Sequence, residues 1–182
     1  MPDLVEKWQR GDVSAFETLY RQYEKLVFRT AYLITGSKEA AEDALQEVFV
    51  SVWKSRHTYD PGKGRLTTWL HRITVNQCSR GKARKAPATV SLEEKGIDLP
   101  EMKQQSQPED ILVDKMEYDR LLRAMDSLDM KHRSVLVLRY FNDLSYQEIA
   151  EALEIPLGTV KSRLNQSLRY LKEQINPGEA EV

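Results

Sequence analysis

From Ala86 to about Pro108 the chain carries Pro87, Pro100 and Pro108, the polar run KQQSQ and only scattered apolar residues. Such a stretch cannot offset the entropy of ordering its backbone by burying apolar surface. It reads as a flexible linker and divides the 182 residues into two segments. Each is short for a domain, yet long enough to bury a core.

On either side of the break, Glu, Lys, Leu, Ala and Arg recur at helical spacing, Gly and Pro are sparse, and strand signals are weak. The 41% apolar content is ordinary for a globular chain. Asp12 is placed to cap a first long helix, along which Phe16, Leu19, Tyr20, Tyr23, Val27, Ala31 and Ile34 recur at steps of three and four, and Gly36 ends it. Ser37 caps a second, to about Trp53, with Ala41, Leu45, Val48, Phe49 and Val52 on one face and Glu39, Asp43, Gln46 and Glu47 on the other. The segment TYDPGKGRLTT is a loop, and a third helix runs from about Thr68 towards Arg80, with Trp69, Leu70, Ile73 and Cys78 among its packing residues. Beyond the linker, Ile111 to Met125 and Met130 to Phe141 read as two helices. The expected architecture is all-α: two small helical domains, residues 1–85 and 111–176, a linker at 86–110 and a tail at 177–182.

The net charge of −1 hides a segregation. From Gly62 to Lys85 no residue is acidic, while Lys63, Arg65, Arg72, Arg80, Lys82, Arg84 and Lys85 are basic. From Ala86 to Asp110 the sign reverses, with Glu93, Glu94, Asp98, Glu101, Glu109 and Asp110 outnumbering Lys95 and Lys103. A second acid-free stretch, Gly158 to Lys172, holds Lys161, Arg163, Arg169 and Lys172. Two basic surfaces with an acidic joint between them suit a two-point grip on a polyanion.

The second of these stretches lies in a recognisable frame. Ser145 and Glu148 form a Ser-x-x-Glu capping box that opens the helix YQEIAEAL. Ile149, Ala150, Leu153 and Ile155 give that helix an apolar face, and Val160, Leu164, Leu168 and Leu171 give one to the helix that follows. Pro156 suits a helix first turn and Gly158 keeps the turn slim, so the connection is short, as in a helix-turn-helix. Lys161, Ser162, Asn165 and Arg169 then face outward, with Arg163 and Gln166 flanking them. Lys and Arg reach phosphates or guanine edges, and Asn and Gln pair with adenine. A solvated face of an ordinary amphipathic helix is the alternative.

The stretch RSVLVLRYFNDLSYQEIAEALEIPLGTVKSRLNQSLRYLKE, Arg133 to Glu173, resembles region 4 of bacterial sigma factors of the extracytoplasmic-function group. AFETLYRQYEKLVFRTAYLITGSKEAAEDALQEVFVSVWK, Ala15 to Lys54, resembles regions 2.1 and 2.2 of the same group, and TTWLHRITVNQ, Thr67 to Gln77, resembles its promoter-reading regions 2.3 and 2.4. The resemblance implies a transcription initiation subunit that binds core RNA polymerase, directs it to promoters and helps open the DNA. It implies contact of Asp43, Gln46 and Glu47 with the β′ clamp helices, and partners that include the β subunit, promoter DNA and an anti-sigma factor. For the −10 element it implies Lys63, Arg65, Trp69, Arg72, Asn76, Arg80 and Lys82; for the −35 element, Thr159, Lys161, Ser162, Arg163, Asn165, Gln166 and Arg169. The chain departs from the group where many relatives read His-Arg-Ala-Arg and it reads Asn165, Gln166, Ser167, Leu168. Glutamine in place of arginine removes a charge and favours adenine, so an altered upstream preference is expected. Ser79, Arg80, Gly81 and Lys82 likewise stand where many relatives carry a run like Ile-Asp-Arg-Leu.

No enzyme is expected. His57, His71 and His132 lack metal-ligand spacing, PGKGR is not a phosphate-binding Gly-x4-Gly-Lys-Ser/Thr loop, and no cofactor or metal is implied. A stand-alone DNA-binding regulator would leave the acidic helix and basic loop of the N-terminal half without a role. An adaptor that binds only protein would not need two acid-free basic stretches. The single cysteine, Cys78, excludes an internal disulfide and reads as a buried or half-buried helix residue. No stretch approaches the ~18 apolar residues of a membrane span, and MPDLVEKWQRGD lacks a signal-peptide core, so a cytoplasmic protein is expected. The acidic run Glu93 to Glu101 could mask a basic surface as a phosphate mimic; a solvated tether is the simpler reading.

Overall fold

The computed structural model describes residues 2–82 and 118–175, and every regular element among them is helical. In the N-terminal half, α2 (Val13–Thr35) and α3 (Lys38–Lys54) form an antiparallel pair joined at Gly36 and Ser37. The caps are those the sequence suggests. The Asp12 carboxylate accepts from the amides of Ser14 and Ala15, and the Ser37 hydroxyl accepts from Ala40. Gly36 ends α2 at φ 73°, and a Cβ there would meet the Asp126 carboxylate of the other half at 2.8 Å. The backbone conformation therefore favours glycine, and a side chain there would also displace the Asp126 carboxylate.

α4 (Leu66–Lys82) lies across this pair. It starts two residues before Thr68, because the Arg65 carbonyl already accepts from the Trp69 amide at 3.2 Å. An additional short helix, α1 (Pro2–Gln9), places Trp8 in the core with no exposed surface. A helix of eight residues has too little periodicity to announce itself.

In the C-terminal half, α5 (residues 118–126) is followed by α6 (Met130–Leu136), which runs into a π-helical turn at Val137–Phe141. α7 (Tyr146–Leu153) carries the complete capping box, with Ser145 and Glu148 bonded reciprocally. It ends on Glu154 at φ 53°, an uncommon conformation for a residue with a side chain, which turns the chain into α8 (Leu157–Ile175). The linker at 86–110, the first turns expected from Ile111, and the tail at 177–182 lie outside the described residues.

Two details of α8 depart from expectation. Leu168 is 41% exposed, and Ser167, fully buried, takes the inward place. Val160, Leu164, Ser167 and Leu171 follow steps of four, three and four, which stay on one face of a 3.6-residue helix; two successive steps of four rotate Leu168 away. The Ser167 hydroxyl donates to the Arg163 carbonyl at 2.6 Å, so burying it leaves no orphaned donor. Gly158 is not needed for room inside the chain, since a Cβ there would meet nothing within 4 Å.

The two halves share one apolar core. Ala31 to Ile34 of α2 and Val75 and Cys78 of α4 pack in a single cluster with Met125, the Val135–Leu138 run and Ile149. Polar contacts fix their register. The Arg133 side chain, 5% exposed, donates through Nε to the Leu33 carbonyl and pairs with Asp126 at 2.8 Å, while Asn142 donates to the Thr30 hydroxyl at 3.0 Å.

The register of α8 can be tested by truncation. Leu164→Ala, at a position 1% exposed, should cost about 2–5 kcal/mol in urea unfolding. Leu168→Ala should cost less than about 1 kcal/mol. Equal costs would return Leu168 to the core.

Candidate nucleic-acid interface

Downstream of α3 the chain folds into a loop, residues 59–65, whose shape is set by an aromatic triangle. The Trp8, Tyr59 and Trp69 rings lie with centroids 5.5 to 6.3 Å apart, and the Gln9 amide donates to the Tyr59 carbonyl at 2.6 Å. α1, invisible in the periodicity, is thus what pins the loop. Within it the Asp60 carboxylate accepts from the Gly62 amide at 2.9 Å and the Tyr59 hydroxyl donates to the Gly64 carbonyl at 3.1 Å. Lys63 and Arg65 project from this turn and are exposed.

The loop and α4 border a cleft of about 490 Å³. Lys63, Arg65, Trp69, Arg72, Asn76 and Arg80 all line it, so the structure brings together six residues spread over eighteen positions of sequence. Trp69 is half-buried and offers one edge, while the other five are exposed. Such a site combines cations for phosphates, an amide for base edges and an aromatic surface. Lys82 ends α4, and its side chain lies outside the described residues.

Beside the cleft, on the buried face of α4, His71 is 2% exposed. Burial pushes its pKa down to about 4, opposed weakly by the nearby Glu148 carboxylate. Cys78, also buried, has its thiol pushed up to about 12 by desolvation, which makes it an inert packing residue.

The second basic surface is the outward face of α8. Lys161, Ser162, Asn165, Gln166 and Arg169 are exposed there, with Thr159 and Arg163 half-buried. None of Lys161, Arg163 or Arg169 is in an ion pair among the described residues. The Ser162 hydroxyl donates to the Thr159 carbonyl at 3.1 Å, so it is partly engaged by its own helix. His132 reaches Gln166 at 3.0 Å through Nε2 and Asp129 at 2.8 Å through Nδ1, and so holds the Gln166 amide in place. Sequence reasoning passed over His132, which lies thirty-four residues away from Gln166. Asp43, Gln46 and Glu47 sit together on the exposed side of α3, opposite its buried residues Ala44 and Val48.

Among the described residues no helix is long and apolar enough to cross a membrane. The family described as Sigma-70 region 2 matches residues 19–87, and that described as Sigma-70, region 4 matches residues 118–171. The chain is 34% identical over 173 residues to the ECF RNA polymerase sigma factor SigE of Mycolicibacterium smegmatis, covering 91% of this chain and 64% of that protein. It is 29% identical over 177 residues to the ECF RNA polymerase sigma factor SigW of Bacillus subtilis, covering 94% of each. Against the ECF RNA polymerase sigma-E factor of Escherichia coli it is 28% identical over 182 residues, covering 96% and 93%. In fold it is similar to CnrH, solved in complex with the cytosolic domain of CnrY, at a TM-score of 0.69 and 20% identity over 96% of each chain. It is similar also to the sigma factor RpoE from Bartonella quintana, solved with the anti-sigma factor NepR, at 0.63 and 18% identity over 92% and 98%.

The buried neutral His71 has a measurable consequence. With its pKa lowered from 6.5 to about 4, the folded form resists a proton that the unfolded form accepts. Its contribution is full above pH ~6.5 and is lost as pH falls to ~4, a change of about 3 kcal/mol. Between pH 7 and pH 5 about 2 kcal/mol of this is lost, so urea unfolding at the two values should differ by roughly that amount, and His71→Gln should flatten most of the difference. An unchanged slope would place the titration elsewhere.

Proposed function

Because the chain belongs to the sigma-70 family, in its extracytoplasmic-function group, we propose that it binds core RNA polymerase and directs promoter-specific initiation through two separate DNA contacts. The observation that carries this reading is the pairing of two differently built basic surfaces on one chain. One is a cleft with an aromatic edge, suited to an unstacked single strand. The other is an exposed helix following a tight turn, suited to a major groove. Residues 1–85 are assigned to polymerase and the −10 element, 111–176 to the −35 element, 86–110 to their connection and 177–182 to a tail.

In this reading Lys63, Arg65, Arg72 and Arg80 hold phosphates of the downstream strand, Trp69 and Asn76 face its bases, and Lys82 extends the basic track. Lys161, Arg163 and Arg169 hold the upstream duplex, while Thr159, Ser162, Asn165 and Gln166 are available to base edges and phosphates. Asp43, Gln46 and Glu47 meet the β′ clamp helices, with the β subunit completing the docking. The protein works by binding rather than by catalysis, in the cytoplasm, without a cofactor. The NepR complex of the Bartonella quintana protein supports an anti-sigma factor as a further partner.

Purified chain mixed with core RNA polymerase and a promoter library, with transcript starts sequenced, tests the whole reading. Discrete start sites are expected; none, with folded protein and active core, would sink it. Lys161→Ala should weaken binding to the upstream element several-fold and leave binding to core unchanged, since a phosphate or base contact of this kind is worth ~1–3 kcal/mol. Asp43→Ala with Glu47→Ala should do the reverse.

A further inference from the structure

We propose that the acidic edge of α7 is an internal ligand for the downstream DNA-reading cleft, so that the free chain is closed against the −10 strand while its upstream-reading helix stays open. The proposal rests on the reading that Arg65 and Arg72 serve the downstream strand. It concerns how that surface is regulated.

Glu148, Glu151 and Glu154 are spaced three apart along and just past α7, at intervals of about 4.5 Å along the axis. Each meets the cleft. The Glu154 carboxylate pairs with the Arg72 guanidinium at 2.6 Å, and Glu148 lies 3.8 Å from that of Arg65. Glu151, with Ala152, forms a wall of the cleft itself. Two guanidiniums of the basic surface are therefore already answered by carboxylates from the other half, and the helix that carries those carboxylates forms part of the cleft wall. Lys63 is answered closer to home, by Asp60 at 3.8 Å.

These ion pairs are not what holds the halves together. All four side chains are exposed to some degree, and such pairs contribute ~0–1 kcal/mol each. Closure is held by the shared apolar core and by Arg133 on the Leu33 carbonyl. The carboxylates decide what the closed form covers. A like-charged strand is turned away from the cleft, and a strand that enters has to displace both α7 and its charges. On α8, in contrast, Lys161, Asn165 and Arg169 remain exposed. The asymmetry is the signature of a mask fitted to one surface.

The test uses the full chain with and without a reversible tether. Ser79 on α4 and Met130 on α6 touch across the junction, at 3.2 Å between Oγ and Sδ, and neither belongs to the DNA-reading set. Ser79→Cys with Met130→Cys, bridged by a short bis-methanethiosulfonate, should lock the closed form, and a reductant should release it. The wild-type chain, with Cys78 alone, is the control. The probe is a single-stranded oligonucleotide carrying the non-template −10 segment of a promoter mapped by the start-site experiment. The bridged chain should bind it at least tenfold more weakly than the released chain, with no change towards a −35 duplex. Glu148→Gln, Glu151→Gln and Glu154→Gln together should tighten binding of the unbridged chain several-fold; glutamine at 148 retains the capping box.

Equal binding by bridged and released chains would overturn the proposal, as would failure of the bridge to form. If the released chain and the polymerase-bound chain both ignored the −10 oligonucleotide, the downstream assignment of Arg65 and Arg72 would fall instead.

Discussion

The side chain of Arg133 ends a helix to which it does not belong. The last carbonyls of any α-helix lack intrahelical donors, and a cation there meets both their lone pairs and the negative end of the helix dipole. At the end of α2 Gly36 satisfies the Tyr32 carbonyl, and the Leu33 carbonyl takes its donor from Arg133 on α6. Asp126 balances the buried charge at 2.8 Å. Removing one partner of such a network costs far more than the pair contributes net, because an unpaired charge or carbonyl stays buried. The absence of a Cβ at Gly36 makes room for both Asp126 and Arg133. α6, the π turn, α7 and α8 all follow from this point of the chain, so one guanidinium sets where the second basic surface stands relative to the first.

Apolar packing alone would leave that relation loose, since it is non-directional. Ala31–Ile34 against Val135–Leu138 supplies the attraction, while Arg133 with Leu33 and Asn142 with Thr30 supply the directional contacts that fix the register. That register brings α7 onto α4 and leaves the outward faces of α3 and α8 uncovered. On the proposed reading, a chain with two DNA contacts and one polymerase contact therefore rests with one of the three covered by its own α7.

Local structure was legible in the sequence because local rules govern it. Asp12, Gly36, Ser37 and the Ser145–Glu148 box mark helix ends by hydrogen bonds made within a few residues. The basic residues of the cleft and of α8 were legible as acid-free stretches. What sequence reasoning missed is the joint. The runs AYLI at 31–34 and VLVL at 135–138 are apolar on every side, and a helix apolar all round is buried on more than one face. Those runs were the available signal that the two halves meet. Ser167 illustrates the opposite failure: a hydroxyl carries no apolar signal and was left out of the expected inward face, yet it satisfies itself on its own helix and packs inside. Leu168 was read inward for its type, and helix geometry turned it out.

The exposed surfaces also constrain the order of events. A ligand that binds only an open form is weakened in proportion to how rarely that form is populated. On the proposed reading promoter single strand is such a ligand, because the cleft that would take it is shared with α7. Polymerase is not, if it docks on Asp43, Gln46 and Glu47, which stay exposed in the closed chain. First contact can then be made on the closed chain, and the halves are separated by whatever further contacts polymerase makes with the open form alone, at a cost drawn from its total affinity. On the proposed reading the mask takes part of the polymerase binding free energy and in return withholds the downstream cleft until polymerase is present.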